Sequence, residues 1–140
     1  MIESRLTLAE ARWILQSMDL APAAESPLLD PLSSVPEVPA GSPAEKKTKR
    51  GLLSRGLLTP AGEPNPLAAA ALAWLASPEK VWCLSLFGPG GAEVVHLAFR
   101  EGCAVECRRE REGFRLRYPL PEEEAESWLD LRASGGVRAR

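Results

Sequence analysis

The chain has 140 residues, 45% of them apolar, which is one domain's worth of polypeptide with enough apolar side chains for a core. Its 17 basic and 19 acidic residues leave a net charge of −2, which excludes a global field holding it on nucleic acid or an anionic membrane. Three cysteines are too few for a disulfide scaffold, no run of about 18 apolar residues crosses a bilayer, and the start MIESRLTLAE is acidic and amphipathic, unlike a signal peptide.

Thr7 followed by Glu10 is a capping box, and Leu8, Ala11, Leu15 and Met18 recur behind it at helical spacing. A helix is therefore expected within residues 1–20, stopped by Pro22 and Pro27. Six of the 13 prolines then fall within residues 21–44, among Ser, Ala and acidic side chains, marking a connector that either wraps the surface or moves. Leu28, Leu29, Leu32 and Val35 give it apolar purchase for wrapping.

Ser42-Pro43-Ala44-Glu45 is a second capping box with proline at the first helical position, predicting a helix over 43–55 capped by Gly56. Asn65-Pro66 opens a third helix by the same cap-then-proline logic. Its body LAAAALAWLA carries no charge and should be largely buried. After Pro78 the periodicity becomes alternating. Four strands are expected at 80–87, 93–100, 103–109 and 114–118, joined by short glycine-bearing turns, and then a helix over 121–131 with Glu122, Glu123 and Glu124 at its head. The fold class is α+β, a four-stranded antiparallel meander packed with about four helices. The chain divides into an N-terminal helix (1–20), a proline-rich connector (21–44), an α+β core (45–131) and a flexible tail (132–140).

In the last two strands Glu106, Arg108, Arg115 and Arg117 alternate with Cys103, Val105, Cys107, Phe114, Leu116 and Tyr118, predicting one wet face. The first two strands, VWCLSLF and VVHLAF, are apolar at nearly every position, so both of their faces should be covered. Asn65 and Gln16 are the only side-chain amides, a depletion that suits a thermophile protein and equally a GC-rich genome.

Catalytic chemistry finds little support. Cys103 and Cys107 share a strand face roughly 13 Å apart, too far for one zinc ion. His96 and Cys83 could meet across the sheet, but the one histidine has no acidic partner nearby in sequence. Gly88-Pro89-Gly90-Gly91 lacks the lysine and following helix of a phosphate loop, and no cofactor fingerprint is present. The basic run Lys46, Lys47, Lys49 and Arg50 is the strongest local charge feature, suited to a solvated helix face or to docking a partner or polyanion. Three helices followed by hairpins also admit a winged helix, although residues 67–76 offer no Arg, Lys, Asn or Gln to a base edge.

The stretch Leu52-Leu53-Ser54-Arg55-Gly56-Leu57-Leu58, a glycine-containing turn, Asn65-Pro66-Leu67 and an Ala/Leu helix, Ser77-Pro78-Glu79 and then Val95-His96-Leu97-Ala98-Phe99-Arg100 resembles one half of the EspG family. Those proteins are cytosolic chaperones of type VII secretion, about twice this length and built of two related halves. The match covers residues 45–120. The resemblance implies an antiparallel sheet flanked by helices and the binding of a helical secretion substrate without catalysis.

The expectation is thus a cytoplasmic, non-enzymatic protein-binding module without cofactor or metal, holding a small helical protein and pairing as a homodimer. Trp82, Leu84, Leu86, Val95, Leu97 and Phe99 would supply the interface, and Trp74 a core anchor. A small DNA-associated regulator using the basic helix and a small enzyme using His96 and Cys83 are the alternatives.

Overall fold

The computed structural model describes residues 2–133 and 137–139, apart from the side chains at 86, 92 and from 128 onward. In chain order the elements are β1 (Ile2–Thr7), α1 (Leu8–Ser17), α2 (Leu29–Ser33), α3 (Pro43–Ser54), α4 (Pro66–Ala76), β2 (Lys80–Gly88), β3 (Gly91–Arg100), β4 (Cys103–Glu110), β5 (Gly113–Pro121), α5 (Glu122–Ala133) and β6 (Val137–Ala139). The strands form one antiparallel sheet in the order β1-β5-β4-β3-β2-β6.

The four expected strands are the meander β2 to β5, but the sheet is wider than expected at both edges. The N-terminal residues pair with β5, Ser4 opposite Leu116 and Leu6 opposite Phe114, so a strand precedes the helix. Ser4 and Leu6 are buried while Glu3 and Arg5 face water, and Ser4 Oγ is 2.9 Å from the Tyr118 hydroxyl. At the other edge β6 pairs with β2. The expected flexible tail lies partly outside the described residues. Among the described residues the helices number five, because Leu29–Ser33 adds a short turn of helix inside the connector.

The sheet has a helical layer on each face. On one face Ile14 and Leu15 of α1 and Leu72 and Leu75 of α4 pack with Val105, Phe114 and Leu116. On the other, Leu84, Leu97 and Phe99 pack with Ala104, Leu120 and Ala125 of α5. Alternation fixes this division: Trp82, Leu97, Glu106, Arg117 and Glu3 form one row of register partners on the α5 side. Cys83, His96, Cys107, Leu116 and Ser4 form the neighbouring row on the α1/α4 side.

Two expectations are corrected here. The charged face of β4 and β5 is not wet throughout: Glu106 is 0% exposed, and its Oε1 lies 3.5 Å from Arg108 Nη2 and 3.6 Å from Arg117 Nη1. The apolar residues left for a second copy are covered within one chain, since Leu84, Val95, Leu97 and Phe99 are all buried and Trp82 is half-buried. Ala125 of the helix after β5 supplies part of the cover that the alternation left unassigned.

The connector wraps. Leu28, Leu32 and Val38 join the α1/α4 core. Ser26 Oγ donates to the Leu75 carbonyl (2.6 Å) and accepts from the Leu28 N–H (3.1 Å), and the Ala23 N–H reaches the Ala76 carbonyl (2.8 Å). The single glutamine takes both backbone groups of Val38: Gln16 Nε2 donates to its carbonyl (2.7 Å) and Gln16 Oε1 accepts from its N–H (2.9 Å). The single asparagine caps α4, its Oδ1 accepting from the Leu67 N–H at 2.9 Å.

Candidate functional site

The two features with chemical potential are the basic helix α3 with the groove beside it and the cleft over Cys83 and His96. Helix α3 begins as its sequence requires, with Ser42 Oγ accepting from the Glu45 N–H (3.1 Å) and Pro43 at the first helical position. The reciprocal half of the expected box is replaced by other contacts. Glu45 instead accepts from the Gly41 N–H (3.1 Å) and from Trp13 Nε1 (3.1 Å), binding α3 to α1. The Gly41 backbone bond first, and then the indole bond, hold its carboxyl below the ordinary value. Lys49 lies 3.6 Å from the same carboxylate and over the Trp13 ring, 5.7 Å from its centroid.

Of the basic run, then, Lys49 is engaged within the fold. Lys46, Lys47 and Arg50 are exposed and make no ion pair among the described residues. Lys47 and Arg50 line a groove of about 790 Å³ between the start of α1 and α3, whose apolar lining includes Ala9, Val38 and Ala44.

The groove borders an ion pair that sequence reasoning missed. Glu10, only 3% exposed, accepts from the Thr7 N–H (2.8 Å) and from Arg55 Nη2. Arg55 also donates to the backbone carbonyl of Arg5 and, through Nε, to that of Gly51 (3.1 Å). Gly51 sits mid-helix because a Cβ there would lie 2.6 Å from Glu10 Oε2. Of the two sequence signals, the capping-box glutamate already had a local explanation, and the glycine inside a helix showed no partner.

On the α1/α4 side of the sheet a cleft of about 430 Å³ opens over Cys83, His96 and Cys107, with Glu25 and Asp30 of the connector and Arg109 also lining it. Cys83 and Cys107 are the register partners of His96 on its two sides. Burial lowers the His96 pKa and holds the imidazole neutral, and burial pushes the Cys107 thiol up to about 12. None of the three side chains makes a hydrogen bond among the described residues, so the row offers no thiolate and base in contact. No three His, Cys, Asp or Glu side chains come together among the described residues in a way that could hold a metal ion.

The expected interface residues occupy one face of β2 and β3: Leu84, Leu97 and Phe99 are buried in one cluster with Ala125 of α5, Trp82 packs at its margin, and Val95 is buried. The side chain of Leu86 lies outside the described residues. Trp74 packs partly buried against the α1/α4 core, its Nε1 buried and without a hydrogen-bond partner among the described residues. The would-be recognition helix α4 buries Ala68, Ala71, Leu72, Leu75 and Ala76 and exposes Leu67, which gives a DNA groove nothing to read. No described helix is long and apolar enough to cross a membrane.

No family model and no curated protein matches the sequence. Among solved structures the fold is similar to that of the Mycobacterium tuberculosis type VII secretion system chaperone EspG5, determined in complex with the PE25–PPE41 dimer. The TM-score is 0.63 at 16% identity over 96% of this chain. The chain spans about half of that protein, 51% of its length, so the two share the fold of one half.

Proposed function

We propose that this protein is a non-enzymatic protein-binding module that holds a helical protein partner in the manner of a secretion chaperone. The observation that carries the reading is the fold: 96% of the chain superposes on half of a chaperone solved with a bound protein dimer. At 16% identity the likeness supports the fold directly and the activity by analogy.

Affinity capture from lysate, with the partner identified by mass and the complex rebuilt from purified components, tests this. A stoichiometric complex with a small helical protein is expected, and failure to rebuild any complex overturns the reading.

A homodimer is the finer form of the proposal, by analogy with the two related halves of the EspG family. Its interface would lie elsewhere than on Leu84, Val95, Leu97 and Phe99, which are buried in the monomer. Light scattering should give twice the chain mass at micromolar concentration, and a monomer there removes this form.

A further inference from the structure

We infer that the groove between α1 and α3 docks an acidic, amphipathic segment of a partner protein, its apolar side chains seated along Ala9, Val38 and Ala44 and its carboxylates paired with Lys47 and Arg50. The inference rests on the protein-binding reading and names the surface and the chemistry of the partner.

Three observations support it. First, the charge is local and unspent. The whole chain is at −2, yet Lys46, Lys47 and Arg50 on this one helix lack a carboxylate partner among the described residues, while the neighbouring Lys49 and Arg55 each have one. Second, Lys47 and Arg50 are not placed for the helix's own benefit, unlike Lys49, which pairs with Glu45 one turn away. A helix gains from basic residues in its last turn, and α3 has none there. Of the cations in residues 46–50, Lys47 and Arg50 line the groove instead. Third, the concavity is large, and Ala9, Val38, Ala44 and Gly51 give its lining a small or apolar part, held in place beside Thr48 and the paired Glu10 and Arg55. Val38 is fixed by both of its backbone bonds to Gln16, and α3 is tied to α1 through Glu45 and Trp13. An apolar trough flanked by unpaired cations complements a helix with apolar residues on one face and carboxylates beside them.

The test uses the full chain and a fluorescein-labelled synthetic peptide with leucines at helical spacing and glutamates between them, read by anisotropy. Saturable binding is expected. Lys47→Glu with Arg50→Glu should weaken it by about tenfold or more, the size of one good charge pair. Ala44→Trp, which fills the groove without changing charge, should weaken it comparably. Lys46→Glu, off the groove lining, should matter less, and circular dichroism confirms that each variant is folded. Absence of saturable binding overturns the inference. So does equal binding of a leucine/lysine peptide, or of poly-glutamate with no response to Ala44→Trp, because either shows attraction without recognition. A captured natural partner that binds the Lys47/Arg50 double variant as tightly as the parent removes the groove and leaves the protein-binding reading intact. Peptide binding with no partner capturable does the reverse.

Discussion

Arg55 and Glu10, 45 residues apart, form an ion pair that closes the outer edge of the sheet. The same guanidinium takes the Arg5 carbonyl, and the same carboxylate takes the Thr7 N–H, so two backbone groups at the open side of β1 are satisfied by side chains. An edge strand left with free donors and acceptors is a template for another chain, and this pair is how the fold blunts it.

Arg55→Ala should therefore cost stability and promote self-association. Glu10 is nearly fully buried and would lose its cation, but Arg55 is itself 37% exposed, so the expected loss is about 2 kcal/mol, below the range for a fully buried pair. Urea unfolding measures the first effect and sedimentation velocity the second. Arg55→Lys should recover only part of it, because one ammonium cannot span Glu10, Arg5 and Gly51.

Gly51→Ala would stabilise an open helix by roughly 0.5–1 kcal/mol. Here the new Cβ meets Glu10 Oε2 at 2.6 Å, and that carboxylate is pinned by Thr7 and Arg55, so the substitution should destabilise. In a Glu10→Ala background the same change should turn favourable, and thermal melts of the four-member cycle read the reversal of sign.

Gln16→Ala should loosen the connector at Val38, which would lose both of its side-chain hydrogen bonds. The expected cost is about 1–2 kcal/mol. Hydrogen exchange should speed up first around residue 38, with less change in the sheet, and uniform protection across the connector in the variant would contradict the assignment.

Stability should fall as pH drops from 6.5 toward the folded pKa of His96. Burial lowers its folded pKa beneath the ordinary 6.5, so just below 6.5 the unfolded chain binds a proton that the folded one refuses. The contribution is complete above pH 6.5 and declines as pH falls toward the folded pKa, below which both states are protonated. Urea midpoints compared at about pH 7.5 and about pH 5 should show a smaller drop for His96→Gln than for the parent.

Much of the architecture was legible where local chemistry decides it. Thr7 and Glu10 make their capping box, Asn65 caps α4 ahead of Pro66, and the glycine-bearing turns join β2 to β5 as a meander. What was not legible depended on distant partners. Residues 2–7 alternate only Ser4 and Leu6 inward, a pattern too short to declare a strand without β5, more than a hundred residues away. Glu106 reads as a solvated charge because alternation assigns a face but not its cover, and Arg108, Arg117 and the layer beside α5 make that face an interior. The same ignorance of cover made Leu84 and Leu97 look like surplus apolar surface. In the candidate groove the basic run was visible, and the apolar floor was not, since Ala9, Val38 and Ala44 come from three separate segments.

The position of α5 in the chain has a consequence for synthesis. Leu84, Leu97 and Phe99 are made well before Ala125, the α5 residue that packs in their cluster. A nascent chain that has completed β2, β3 and β4 can already pair those strands, yet one side of them remains open to water until the last fifth of the polypeptide emerges. A stall or truncation before residue 121 would release a sheet with a sticky side, so a messenger cut short there should yield an aggregating fragment and no smaller folded domain.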